Sequence, residues 1–192
     1  MGFLSFGKTS PRANWSEACQ AMAKATSSLE GVLETFTTGK AGVLVRPAPD
    51  QSAAHAKAEL ERAIGTLDRT RSAFEVENDD HGHPWIVVSD GTLQHICEAT
   101  QAIGDVLIGS GIGDRVIAAV FPFTWKEQRV YWIYQPRLRG FTPFAPVQGV
   151  SQNGEKEERD HPLEVRMEGA IRRDLPTARD VSQWYPIWGM PV

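Results

Sequence analysis

The stretch 116–146 constrains the fold most, because it holds eight of the seventeen aromatic residues in the chain. Two β-branched and aromatic runs, 116–125 and 129–134, stand on either side of three polar residues, and this pattern predicts an antiparallel hairpin with a short loop. Apolar side chains alternate onto both faces of the first run, so we expect that strand to be covered on both sides. Pro122 has no N–H to donate, and it predicts that the strand becomes an edge or carries a bulge from that point.

Helical and strand-like patterns share the rest of the chain, which predicts an α+β fold. Apolar residues at helical spacing predict three helices packed on a sheet, at 14–24, 50–71 and 91–108, with Asn14, Asp50 and Asp90 as N-caps. Two further strand pairs complete a predicted antiparallel sheet of three hairpins, namely 29–37 with 41–46 and 74–78 with 85–89. A parallel sheet is disfavoured, because parallel neighbours need long crossovers and these strands are joined by short turns.

The length of 192 residues suits one hydrophobic core and therefore one domain. We expect a flexible apolar N-terminal tip at 1–13, followed by a single α+β domain at 14–192. Within that domain, the polar stretch 147–158 predicts a mobile loop. Pro162, with Asp160 or His161 as the cap, predicts a further helix after the loop.

Charge and composition limit the classes of function. The net charge of −4 and the pI near 5.7 argue against a chain whose main ligand is a polyanion. No apolar run approaches a membrane span and the N-terminus lacks the features of a signal peptide, so we expect a cytoplasmic protein. Cys19 and Cys97 fall on apolar helix faces, which predicts reduced, buried thiols.

The segment DDHGH brings together the ligand types that a divalent metal prefers, in Asp79, Asp80, His81 and His83. A metal-dependent hydrolase is therefore one hypothesis. The alternative that we favour is a solvated turn between two strands, because the same residue types are typical of turns and no other histidine adds a ligand at a suitable spacing.

Other sequence patterns do not assemble into an enzyme. The glycines at 109–113 follow a helix and precede a strand, which is the reverse of a dinucleotide-binding loop. His95 and Cys97 are two residues apart on a helix and so point to different faces. No paired carboxylates stand out as an acid and a base. We therefore predict a non-enzymatic protein without a cofactor.

Four cations in the aromatic region raise a second binding hypothesis. They alternate along the sequence with aromatic residues, and the region contains one acidic residue. The cations are Lys126, Arg129, Arg137 and Arg139, and the aromatic residues are Tyr131, Trp132, Tyr134, Phe141 and Phe144. This composition is typical of a platform for single-stranded nucleic acid or an anionic membrane. The alternative is that the rings lie in the core and the cations at its rim.

The C-terminal region supplies candidate partner-binding residues. Five large aromatics lie in two stretches interrupted by prolines, so we expect irregular segments that fold against each other; the residues are Phe141, Phe144, Trp184, Tyr185 and Trp188. Tyr and Trp are frequent at energetic hot spots of interfaces. The alternative is that these rings only hold the C-terminus against the domain.

Four segments of the chain resemble one known family: MGFL at the start, GIGDRVIAAVFPF at 111–123, VYWIYQ with RGFTPFAP after it, and the ending LPTARDVSQWYPIWGMP. They resemble the PspA-associated protein family PspAB of the phage-shock type envelope stress response. The resemblance implies a cytoplasmic adaptor or regulator that acts with a membrane-associated, PspA-like coiled-coil protein and other phage-shock components, with peripheral contact at the inner face of the membrane as a further expectation. It implies no catalytic residue and no cofactor. The order of helices and hairpins also resembles type III secretion chaperone-like domains.

Overall fold

Helices and an irregular C-terminal segment cover the two faces of a seven-stranded antiparallel sheet. The structure is a computed structural model that describes residues 11–147 and 158–192, so most of the predicted N-terminal tip and of the predicted loop at 147–158 lies outside the described residues. The strands are β1 Thr35–Thr37, β2 Lys40–Val45, β3 Ala73–Asn78, β4 Pro84–Ser89, β5 Val116–Trp125, β6 Gln128–Gln135 and β7 Gly140–Phe144. The helices of the described ranges are α1 Pro11–Lys24, α2 Thr26–Gly31, α3 Ala53–Ile64, α4 Leu93–Gly109 and α5 His161–Ile171. The predicted α+β class is confirmed.

The strand order β3-β4-β2-β5-β6-β7 contains the predicted hairpins β3–β4 and β5–β6 and a further hairpin, β6–β7. The prediction of a hairpin from 29–37 and 41–46 was wrong, because β1 pairs with β5 and β2 lies between β4 and β5. Leu29 and Leu33 are both buried while Val32 is 60% exposed. Residues 26–31 form the helix α2 instead, and Leu29 N donates to Ala25 O over 2.9 Å while Val32 N donates to Ser28 O over 3.0 Å. Bonds between residues four apart are those of a helix.

Pro122 lies in the middle of the sheet, opposite the break between β1 and β2. On one side of β5, β1 pairs up to Phe123 and β2 pairs from Val120 onward. The carbonyl of Pro122 accepts from Thr38 N over 3.2 Å, on the side of the break. Because the N–H and C=O of one strand residue point to the same side, the missing donor of Pro122 faces that break. The strand β5 therefore stays in the middle of the sheet. The interruption lies beside it, in the break between β1 and β2.

Two helix boundaries differ from the prediction for reasons of capping. The helix predicted at 50–71 is shorter, since Ser52 rather than Asp50 caps it by accepting from His55 N, and Asp50 has φ +59°. Thr92 caps α4 in place of Asp90. At the other end of α4, Gly111 has φ +75° and Ile112 N donates to Leu107 O, which is a Schellman ending. The glycines at 109–113 thus terminate a helix, as expected.

Side chains of β5 enter two separate cores. Phe121 and Phe123 lie with the helices in the larger core, whereas Ala118 and Val120 lie in a smaller core on the other face. The C-terminal segment 184–192 covers that second face with partly buried apolar residues, namely Ile187, Trp188, Met190 and Val192. The prediction that β5 is covered on both sides is confirmed. None of the helices within 11–147 and 158–192 has both the length and the apolar character that a bilayer crossing needs.

Candidate binding site

Arginines from distant parts of the sequence meet at one end of the sheet. The neighbours β2 and β6 end there, and β5, which lies antiparallel between them, begins there. Arg46 directly follows β2 and Arg115 directly precedes β5, and Arg46 N donates to Arg115 O over 2.8 Å. Arg137 and Arg139 lie in the turn between β6 and β7. The strand order therefore gathers four guanidinium groups at one edge.

These arginines line a cleft of about 830 Å³, which we call the arginine cleft. Helices α1 and α4 contribute Trp15 and Gly104 to its wall, and the C-terminal segment contributes Tyr185 and Ile187. Ile117, which is 41% exposed, adds an apolar side chain from β5. The cleft thus combines cationic groups with apolar surface. It lies at the end of the sheet, between the helices on one face and the C-terminal segment on the other.

One of the four arginines is held in place by the protein. Arg115 is half-buried, and its Nη2 donates to Glu59 Oε2 of α3 while its Nη1 donates to Gln51 Oε1 over 3.2 Å. The hydrogen bond from Arg115 lowers the pKa of Glu59, against the effect of burial and with help from Gln51. Arg115 therefore has a structural partner and forms a fixed part of the cleft wall.

The other three arginines are free to bind a ligand. Arg46, Arg137 and Arg139 are exposed, and their guanidinium groups make no hydrogen bond or ion pair with any residue of the described ranges. Asp114 is the one acidic residue among the described residues that line the cleft. A chain with a net charge of −4 therefore has a local cationic region here, and such a region attracts anionic groups.

The five aromatic residues predicted to bind a partner do not share one surface. Phe141, Phe144 and Trp184 are buried, at 0%, 1% and 5% exposure. Trp188 is half-buried, whereas Tyr185 is 57% exposed and lines the arginine cleft. In this conformation the three buried rings have no surface to offer to a partner, so Tyr185 is the candidate that the structure places at an open site.

The two proline-containing stretches do fold against each other, but one of them is regular. The residues 140–144 form the edge strand β7, which corrects the expectation of irregular backbone. Pro143 is tolerated there because β7 lies at the end of the strand order. Residues beyond 184 belong to no helix or strand. The Trp184 indole N–H donates to Ala178 O over 2.8 Å, which fixes the start of this segment.

The basic aromatic region does not form an exposed platform. Trp132, Tyr134, Phe141 and Phe144 are all buried, so these rings cannot stack on bases in this conformation. The cations are split between the two ends of β6, whose eight residues span roughly 25 Å at about 3.4 Å per residue. The alternative, with rings in the core and cations at the rim, describes the structure. Arg137 and Arg139 belong instead to the arginine cleft.

The DDHGH segment forms the turn between β3 and β4. The Asp79 side chain is 3% exposed, and its carboxylate accepts from the Trp85 indole over 3.1 Å and from the backbone N–H groups of His81 and His83. Burial raises the pKa of Asp79, but these hydrogen bonds outweigh it and the net pKa is lowered. Within the described ranges, no three His, Cys, Asp or Glu residues are arranged to hold a metal ion. The segment does form the predicted turn, which is closed by bonds from Gly82 N to Asp79 O and from Asp79 N to His83 O, both over 2.9 Å.

Arg46, Arg115 and Ile117 were not among the candidate residues predicted from the sequence. Each flanks or begins a strand, but nothing local indicates that the ends of β2, β5 and β6 meet. In the predicted sheet of three hairpins, Arg46 and Arg115 belonged to or flanked different hairpins and were not expected to be in contact. Only the insertion of β2 beside β5 brings their backbones within hydrogen-bonding distance.

Comparisons with known proteins give one match. The family model described as PspA associated protein B, PspAB, matches residues 1–192, which is the whole chain. No curated protein and no solved structure matches the chain. The likeness to type III secretion chaperone-like domains therefore stays a prediction.

Proposed function

The chain belongs to the PspA associated protein B family, and we propose on this premise that it is a non-enzymatic adaptor or regulator that binds a PspA-like coiled-coil protein. In this role the protein acts in the envelope stress response, in the cytoplasm, with peripheral contact at the inner face of the membrane. Other phage-shock components are its further partners.

The arginine cleft is the observation that supports an adaptor most directly. Three exposed arginines lie beside Tyr185 and Ile117, and none of the three is satisfied within the described residues. Aromatic and arginine side chains are enriched where proteins bind each other. An open cationic surface with apolar anchors is what an adaptor needs, and the described cleft lining contains no His or Cys that could act as a base or a nucleophile.

The thiols and carboxylates elsewhere also support a non-enzymatic protein. Burial raises the pKa of Cys97 to about 12 and that of Cys19 well above its ordinary value, so both remain protonated thiols at neutral pH and are poor nucleophiles. Asp90 holds Ser72 and His95 Nδ1 by hydrogen bonds at the start of α4. These hydrogen bonds engage the three side chains in the fold.

Co-purification from the native cells tests this function. A tagged chain should retain the PspA-like protein, with the amount of complex changing after membrane stress, and the two purified proteins should then bind each other without other components. Cell fractionation should recover part of the chain with membranes only when the PspA-like protein is present. Failure of the purified pair to bind would contradict the adaptor proposal, and stoichiometric metal surviving dialysis would reopen the hydrolase hypothesis.

A further inference from the structure

The shape and charge of the arginine cleft indicate what enters it. Arg46, Arg137 and Arg139 line it as exposed side chains without a hydrogen bond or ion pair among the described residues, while Ile117 and Tyr185 supply apolar surface. A ligand that fits must therefore carry both anionic and apolar groups. An acidic amphipathic segment of a protein meets both requirements.

The volume of the cleft limits the length of such a segment. A helix is about 10–12 Å wide and rises about 5.4 Å per turn, so a cavity of about 830 Å³ holds roughly one or two turns. A long stretch of coiled coil does not fit inside. A short segment or a helix end of the partner does.

Other anionic ligands suit the cleft less well. A site for a small phosphorylated molecule needs precisely placed polar groups that their neighbours hold in position, and of the four arginines only Arg115 makes a side-chain hydrogen bond within the described residues. A flat membrane surface cannot enter a recess, so it could not reach the apolar side chains that line the cleft.

We propose that the arginine cleft binds a short acidic segment of the partner, one or two helical turns long. Its carboxylates would pair with Arg46, Arg137 and Arg139, and an apolar side chain would pack on Ile117 and Tyr185. This inference rests on the proposed function, because the partner that supplies the segment is the PspA-like protein. It adds the chemistry of the segment and the place where it binds.

A charge-reversal experiment tests the cleft separately from the adaptor function. The double variant Arg46→Glu with Arg137→Glu changes two exposed residues that line the cleft, one directly after β2 and one in the turn between β6 and β7. The matched control is Arg173→Glu with Arg179→Glu, two exposed arginines that do not line the cleft. Each protein is titrated with the purified, full-length PspA-like protein at about 50 mM and about 300 mM KCl, which differ in screening length. Circular dichroism checks that all of them fold.

We expect the cleft variant to bind on the order of 30-fold more weakly, with the control unchanged and the wild type weaker at high salt. Peptides that tile the PspA-like protein identify the acidic segment, and replacing its acids by Lys should restore binding to the cleft variant. Equal affinities of wild type, variant and control would overturn the cleft inference and leave the adaptor proposal intact. No binding by the wild type would overturn both.

Two further probes separate the remaining ligands. Phosphatidylglycerol vesicles and inorganic phosphate are each added to the wild type and to the cleft variant. Because any such charge reversal weakens the binding of anions, the charge-matched control is measured as well, and we expect the cleft variant and the control to bind each probe alike. If the cleft variant alone binds a probe more weakly, while it binds the PspA-like protein as the wild type does, the cleft is a site for anionic lipid or phosphate and the acidic-segment inference is wrong.

Discussion

Phe144 and Trp188 pack edge to face, with 4.8 Å between their ring centroids and an interplanar angle of 90°. This contact joins the edge strand β7 to the C-terminal segment, on the sheet face opposite the helices. Phe144 also stacks on Tyr131, at 5.6 Å. The ring of Trp188 therefore fills a place in the smaller core, and the C-terminal segment serves as one layer of the fold.

Replacing Trp188 by Ala should destabilise the protein by about 2–4 kcal/mol, because it removes a large ring from a packed cluster. Urea unfolding measures this loss, and binding of the PspA-like protein should weaken only in step with unfolding. Tyr185→Ala is the matched control. It is 57% exposed, so it should change stability by less than about 0.5 kcal/mol, yet it should weaken binding because it lines the arginine cleft. A fully stable Trp188→Ala protein that no longer binds would instead make this ring part of the interface.

Glu164 is a fully buried carboxylate that organises the region around the start of α5. It accepts from Ala145 N over 3.0 Å and from Arg159 Nε and Nη2 over 3.0 and 2.9 Å. Arg159 Nη1 in turn donates to Trp184 O over 2.8 Å. One ion pair thus connects the chain after β7, the helix α5 and the C-terminal segment.

Glu164→Gln should lower the free energy of unfolding by about 2–4 kcal/mol, since it leaves the largely buried guanidinium of Arg159 without its counter-charge. Chemical denaturation measures the loss, and limited proteolysis should cut the C-terminal segment faster. Glu158→Gln makes the same chemical change at an exposed position and should alter stability by less than about 0.5 kcal/mol. Similar effects of the two substitutions would contradict the structural role of the ion pair.

The hairpins β3–β4 and β5–β6 could be predicted because their signals are local. Each has two strand-like runs joined by polar or turn-forming residues, and the alternation over 116–125 indicated a strand covered on both faces. The position of β2 could not be predicted in this way. Its pairing with β4 and with β5 depends on side-chain packing between segments far apart in the chain.

Local propensity also misplaced the segment around Leu29. Its apolar residues were interpreted as a strand, but residues 26–31 form the short helix α2, which buries Leu29. The aromatic residues near the C-terminus were predicted to bind a partner. The sequence does not distinguish aromatic rings that fill a core from exposed rings that can contact another protein. That difference appears only when β7 and the C-terminal segment are packed together.

Asp79 should make stability depend on acid. Its folded-state pKa is lowered below the value of about 3.9 for an unfolded aspartate. The stabilisation is therefore complete above the unfolded pKa and is lost as the pH falls through the folded pKa. Asp79→Asn should lower stability by about 1–2 kcal/mol at pH 7, because it weakens charge-assisted hydrogen bonds from Trp85 and the turn.

Melting temperatures between about pH 7 and about pH 3, the range across which an aspartate titrates, measure this dependence. The difference between wild type and Asp79→Asn should shrink toward the acid end. Asp114→Asn alters an exposed carboxylate at the cleft and should leave the difference from wild type small throughout. A gap between wild type and Asp79→Asn that stays constant down to the lowest pH would show that the Asp79 charge does not contribute.

Gly104 and Trp15 are in direct contact where α4 crosses α1. A Cβ built on Gly104 would lie 2.0 Å from Trp15 Nε1, which donates to Thr100 O over 3.0 Å. A glycine inside a helix is ordinarily destabilising relative to alanine by about 0.5–1 kcal/mol. At this position the contact with Trp15 reverses that preference, because the ring occupies the space of the missing side chain.

Gly104→Ala should therefore destabilise the protein by at least about 2 kcal/mol, since the Trp15 ring must move and lose its hydrogen bond. Gly169→Ala in α5 is the matched control, because a Cβ there meets nothing within 4 Å, and it should stabilise by up to about 1 kcal/mol. Urea unfolding of the two variants gives both values. Trp15 and Gly104 also line the arginine cleft, so Gly104→Ala should weaken binding of the PspA-like protein even where the protein remains folded. Stabilisation by both substitutions would mean that Trp15 does not pack on Gly104.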